Sequence, residues 1–167
     1  AVPAGLTTGG ELVDKNPQQA TQLLEAVTTL DARNTRAHLL LGNAYINIGK
    51  PEEAIAQYQT ILALDPQNAS AATNLGAAYY QMGKLDQAVA QLQAALQLTP
   101  GDAETHYLLG AAYIQQNKID NAKAEFQAAL KSKPNLAAAF VGLGNAQLMQ
   151  KDVDGAVSSL TKATQLT

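Results

Sequence analysis

The chain matches itself at an interval of 34 residues. Leu41-Gly42-x-x-Tyr45 returns as Leu75-Gly76-x-x-Tyr79 and Leu109-Gly110-x-x-Tyr113, and in part as Leu143-Gly144. Alanine follows each match at one fixed offset (Ala54, Ala88, Ala122, Ala156), and proline follows the first three (Pro66, Pro100, Pro134). A repeat of this length is one supersecondary unit, a helix pair that cannot bury its apolar side alone and must stack on its neighbours. The core then lies between repeats and not around one centre, so chain length sets no ceiling on it. Function is accordingly sought on a binding surface before a catalytic pocket.

In the unit that begins at Thr35, Leu40, Leu41, Ala44 and Tyr45 fall at helical spacing, which predicts a first helix over about Arg36 to Ile48. Gly49 ends it, because glycine enters the left-handed C-cap conformation without a side-chain penalty. Gly83, Asn117 and Lys151 hold the same place. Lysine is the poorest substitute, so the last of these turns is expected to be less regular. A second helix opens at Pro51, whose missing N–H is not needed in a first turn. Glu52 and Glu53, and later Asp86, Asp120 and Asp154, favour the positive end of the helix dipole. Ala54, Tyr58 and Ile61 should face the first helix. Ala88, Leu92 and Ala95 follow in register, then Ala122, Phe126 and Ala129, then Ala156, Leu160 and Ala163. Each proline stops the second helix and forces the turn to the next unit.

These residues resemble the tetratricopeptide repeat, whose L-G-x2-Y, A-x3-F and P elements occur here in that order. The resemblance covers residues 35–167. It implies an all-α fold, a right-handed superhelical solenoid of antiparallel helix pairs with units at 35–68, 69–102, 103–136 and 137–167. The chain departs from the pattern at His38, Ala72 and His106, where Phe140 marks a large aromatic position, and at Gln147, where the other units have tyrosine. Upstream, Asn16-Pro17-Gln18-Gln19-Ala20 aligns with Lys50-Pro51-Glu52-Glu53-Ala54, and Ala20, Leu23, Leu24, Val27 and Leu30 continue the apolar stripe. Pro3, Gly5, Gly9 and Gly10 argue against a complete helix before it. Residues 1–10 are therefore read as a flexible linker and 11–34 as a partial repeat with at most one or two turns at Glu11 to Lys15. About four and a half repeats result, together one solenoid domain.

Composition removes whole classes of function. Eleven basic residues against 14 acidic ones leave no reservoir of positive charge for phosphate neutralisation, so nucleic acid is not an expected partner. There are no cysteines, which excludes disulfides, thiolate metal sites and cysteine nucleophiles together. No apolar run approaches the roughly 20 residues that span a bilayer, so direct membrane insertion of this segment is not expected. The first residue is alanine, and a signal or anchor ahead of it would leave the segment extracytoplasmic, whereas without one it would be cytoplasmic.

Catalysis needs titratable groups brought together, and the chain has two histidines, His38 and His106, at the same place in units separated by one whole unit. At roughly 10 Å per helix layer they lie about 20 Å apart and cannot share a metal or a proton. Each reads as a packing substitute for an aromatic ring. No phosphate-binding glycine motif or paired-histidine metal motif occurs. The expectation is no enzyme, no cofactor and no metal. Lys50, Lys84, Lys118 and Lys151 all fall in turns within the units and read as one solvated edge.

In tetratricopeptide arrays the first helix lines the concave face, and the resemblance implies ligand-facing places in each unit. On this chain they are Leu39, Asn43, Ile46 and Asn47; Thr73, Asn74, Ala77, Tyr80 and Gln81; Tyr107, Ala111, Ile114 and Gln115; and Val141, Asn145, Leu148 and Met149. The set is rich in amides and apolar groups and nearly free of charge. A side-chain amide donates to a backbone carbonyl and accepts from a backbone N–H, so spaced amides suit an extended peptide or partner segment. The family's carboxylate clamp needs cations where this chain has Leu39, Glu104 and Leu108 beside Asn43 and Asn74, so an acidic C-terminal tail is not an expected ligand. The alternative function is an assembly scaffold that self-associates or docks through the solenoid ends, where Val157 and Leu160 lack a covering repeat.

Overall fold

The computed structural model describes residues 2–166, with side chains from residue 4 onward. Its regular elements are ten α-helices among the described residues: α1 (Val2–Leu12), α2 (Pro17–Leu30), α3 (Thr35–Asn47), α4 (Pro51–Leu64), α5 (Ala69–Gln81), α6 (Leu85–Leu98), α7 (Ala103–Gln115), α8 (Ile119–Ser132), α9 (Ala137–Met149) and α10 (Val153–Gln165). They form two compact units, residues 1–83 with α1 to α5 and residues 84–167 with α6 to α10. Turns of three or four residues join helices within each repeat, and such short links place consecutive helices antiparallel.

Both ends of the helices have local causes. The Oδ1 atoms of Asn34 and Asn68 each accept from a backbone N–H at 3.0 Å, of Ala37 and Ala71, and an Asp102 carboxylate oxygen accepts from Thr105 N at 2.8 Å. These side chains occupy one repeat position and satisfy donors that the first turn leaves without partners. Leu136 holds that position before α9 and makes no side-chain cap. Leu136→Asn is expected to stabilise the second unit by about 1 kcal/mol, read from urea unfolding midpoints.

At the C-terminal ends, Gly49, Asn117 and Lys151 all adopt positive φ, at 75°, 59° and 63°. Lys50 N, Lys118 N and Asp152 N then reach back to the carbonyls of Tyr45, Tyr113 and Gln147, each at 2.9 Å. The turn at Lys151 was expected to be less regular, yet it closes with the same hydrogen bonds as the others. Backbone carbonyl capture sets the geometry, and lysine carries the left-handed conformation within it.

The core of the first unit gathers Val13, Ala20, Leu24, Leu41 and Ala44, with Leu6, Leu12, Leu40 and Tyr45 packed against them. In the second unit Leu92, Leu109, Tyr113, Ala122, Phe126 and Leu143 form the corresponding cluster. Ala54, Tyr58 and Ile61 of α4 are buried, as are Ala88, Leu92 and Ala95 of α6 and Ala122, Phe126 and Ala129 of α8.

The linker expected over residues 1–10 is instead helical from Val2, and the partial repeat expected over 11–34 is a complete pair, α1 packed on α2. The glycines taken as breakers are contact points. A Cβ at Gly9 would lie 2.8 Å from Leu24 Cδ2, one at Gly5 3.0 Å from Val27 Cγ2, and one at Gly10 3.2 Å from Leu40 Cδ1. Close approach to α2 and α3 more than offsets the roughly 1 kcal/mol that each glycine costs a helix. The 34-residue register thus runs one helix further than four and a half repeats.

The histidines are more than ring-shaped filling. His38 pairs through Nδ1 with Gln57 Oε1 at 2.8 Å and through Nε2 with the Ala32 carbonyl at 3.1 Å. His106 does the same with Glu125 Oε2 at 2.6 Å and the Pro100 carbonyl at 3.0 Å. Each ring ties its own helix to the next helix and to the preceding turn.

Candidate functional site

The ligand-facing places of α3 and α5 meet in the first unit. Asn43, Ile46 and Asn47 from α3 and Asn74, Ala77 and Gln81 from α5 line one open groove of ≈ 360 Å³. Leu40, Tyr58, Ala78, Gly10, Val13 and Asp14 complete its walls. Asp14 is the one charged residue among them.

An amide pair sits in this groove. Asn43 Oδ1 accepts from the Tyr58 hydroxyl at 2.8 Å and from Asn74 Nδ2 at 3.2 Å. With Oδ1 so held, Asn43 keeps its Nδ2 donor and Asn74 its Oδ1 acceptor, and neither atom has a hydrogen bond among the described residues. Asn47 is engaged differently: its Nδ2 donates to the Val13 carbonyl at 2.9 Å and to Asp14 Oδ1 at 3.3 Å. It fastens α3 to the turn after α1, and so builds the wall of the groove.

Leu39, Thr73 and Tyr80 are partly buried and do not line the groove. In the second unit the Tyr107 ring packs 6.0 Å from that of Phe126 at 44°, and Ile114 packs on the same cluster. Ala111 is half-buried, while Gln115, Val141, Asn145, Leu148 and Met149 are exposed. The groove residues missed from sequence were Gly10, Val13, Asp14, Leu40, Tyr58 and Ala78. The alignment of residues 16–20 with 50–54 held the signal, because the same register carried one helix upstream places Val13 beside Asn47.

Two tyrosines of the first unit, Tyr45 and the groove residue Tyr58, resist ionisation. Burial, and then the Glu25 carboxylate that accepts from its hydroxyl at 2.6 Å, push Tyr45 up to about 12 from 10.0. Burial alone pushes Tyr58 further in the same direction. A phenol whose folded-state value is raised contributes stability that is complete below its unfolded value and lost as pH climbs through the folded one. Stability should therefore fall between pH 10 and about 12, and continue falling above that for Tyr58. Urea unfolding across that range should show a shallower decline in Tyr58→Phe than in wild type.

A sequence profile described as tetratricopeptide repeat matches residues 14–69 and 39–103, and a second profile of the same description matches 79–140. The chain belongs to the tetratricopeptide repeat family. Among solved structures, the crystal structure of MamA is 28% identical with a TM-score of 0.84, over 95% of this chain and 93% of that one. MamA from Desulfovibrio magneticus RS-1 is 22% identical with a TM-score of 0.88, over 99% and 94%. Pseudomonas aeruginosa pilF is 22% identical with a TM-score of 0.90, over 99% and 76%. The latter two show the fold alone. No protein of curated function matches the sequence. The tetratricopeptide fold is a protein–protein interaction module, typically without enzymatic activity of its own, and its partners are proteins. Among the described residues no helix is long and apolar enough to cross a membrane.

Proposed function

We propose that this tetratricopeptide protein is an adaptor whose first unit holds an extended, uncharged or basic segment of a partner protein in the groove between α3 and α5. The observation that carries the reading is the Asn43–Asn74 pair: Tyr58 locks Asn43 Oδ1, so one amide donor and one amide acceptor are presented together. A peptide carbonyl accepts from Asn43 Nδ2, and a peptide N–H donates to Asn74 Oδ1. Ile46, Leu40 and Ala77 supply apolar wall for side chains, and Asp14 favours a basic residue near the α1 end. An acidic C-terminal tail would meet that carboxylate and no cation in the groove.

Crosslinking pull-downs from the native host, with wild-type protein beside an Asn43→Ala/Asn74→Ala variant of equal helicity, test the reading. The principal partner should be lost from the variant, and its purified form should bind at least about tenfold more weakly, as expected when two buried polar contacts are removed. Equal recovery by both proteins would place recognition elsewhere.

A further inference from the structure

The polar atoms that the groove leaves open change character along α3. Asn43 Oδ1 is taken by the Tyr58 hydroxyl and by Asn74 Nδ2, so this side chain offers donors alone. One turn further on, Asn47 offers the reverse. Its two amide protons go to the Val13 carbonyl at 2.9 Å and to Asp14 Oδ1 at 3.3 Å, and two acceptors on that side fix which way round the amide sits. Asn47 Oδ1 and Asp14 Oδ2 accept nothing among the described residues. The groove thus has a donor end at Asn43 and an acceptor end at Asn47 and Asp14, with about 6 Å between Cβ atoms one helical turn apart.

The acceptor end is also the charged one. Asp14 is exposed and has no ion pair among the described residues. The first unit sets Lys15, Arg33, Arg36 and Lys50 against seven carboxylates, whereas the second balances seven against seven, so the net charge of −3 lies wholly in the unit that holds the groove. The lining comes from α1 and its turn, α3, α4 and α5, so the groove lies between repeats of that unit and is not an end face of the array.

We propose, on the basis of the adaptor reading above, that the groove selects a lysine side chain of the partner segment and pairs its ammonium with Asp14. Arginine fits less well, because a guanidinium fork uses both oxygens of one carboxylate and Asn47 already holds Oδ1. An ammonium is a point charge with three donors, so it pairs with Oδ2 and keeps donors for Asn47 Oδ1 or water. The exposed position of Asp14 leaves that head partly hydrated, while Ile46 and Ala77 give the four-carbon stem an apolar wall. With a carbonyl of the same segment on Asn43 Nδ2, donor and acceptor ends together fix the register in which the segment lies.

A bead library of octapeptides, blocked at both ends and randomised without cysteine, is the probe for the labelled full chain. Blocking removes the terminal amine, so lysine supplies the one ammonium on offer. Peptides retained by wild type should carry lysine at one register position about twofold to fivefold above the unselected library, the range for a pair at an exposed carboxylate, and above arginine. Asp14→Asn keeps an acceptor for Asn47 and should erase that enrichment, and Asp14→Lys should replace it with aspartate or glutamate. Glu52→Lys makes the same change in net charge at an exposed residue of α4 outside the groove, and should leave lysine enriched. Asn43→Ala/Asn74→Ala should weaken retention of every selected peptide, whatever its charge. Equal helicity checks the fold of each variant. Lysine enrichment that survives Asp14→Asn, enrichment that Glu52→Lys erases, or arginine enriched above lysine would each overturn the lysine subsite, and the adaptor reading would stand if the double amide variant still lost its peptides. Unchanged retention by the amide variant would overturn the adaptor reading and the subsite with it, as would no enrichment by wild type.

Discussion

Phe126→Ala is expected to destabilise the second unit by about 3–5 kcal/mol, the range for emptying a buried aromatic site whose surroundings cannot collapse. Two of its walls here are bare backbone. The Phe126 ring lies so close to α7 and α9 that a Cβ at Gly110 would sit 2.7 Å from its Cε1, and one at Gly142 2.6 Å. Two helices have given up their side chains to admit one ring, and that ring is 1% exposed. Removing it leaves the glycines facing a void that no neighbouring side chain from those positions can fill. Urea unfolding would give the loss, and amide exchange should show protection falling across α7 to α9. A loss under about 1 kcal/mol would mean the ring is not the wedge that its contacts describe.

Gly42→Val is expected to cost about 1–3 kcal/mol in the first unit, despite a helix propensity that favours valine over glycine. A Cβ there would sit 2.5 Å from Tyr58 Cε1 and 2.8 Å from Cζ. Tyr58 is 1% exposed and cannot swing into solvent without unpacking α4. The displacement would reach the groove as well, because the Tyr58 hydroxyl is what holds Asn43 Oδ1. Unfolding midpoints and partner affinity should therefore fall together in Gly42→Val. In Gly42→Val/Tyr58→Leu, relief of the clash should restore part of the stability while affinity stays low. Recovery of both would show that the hydroxyl is not needed to orient the amide pair.

Most of the fold was legible because a repeat states each rule several times. The L-G dipeptide, the alanine, the proline and the left-handed position recur at one interval, so Lys151 could be assigned to a helix-ending turn that its own chemistry argues against. The same register continues upstream, but Gly5, Gly9 and Gly10 read locally as breakers, and a glycine's role as a contact surface depends on the Val27, Leu24 and Leu40 side chains that approach it. Those partners lie on other helices, where no local pattern names them. The groove shows a similar division. Asn43 and Asn74 were singled out as amides on the right face, but nothing in their spacing told that Tyr58 holds one oxygen or that Asn47 is engaged with the turn at Val13.

The sequence by itself determined α2 to α10, their order and most of the residues that face inward, because 3.6-residue periodicity, caps and breakers act within a few residues of chain. Only the tertiary structure decided that α1 packs as a helix, that Tyr58 holds the Asn43 oxygen, and that Asn47 is tied to the turn after α1. Those outcomes depend on distances between side chains far apart in sequence, and packing settles such distances through contacts that no stretch of chain makes alone.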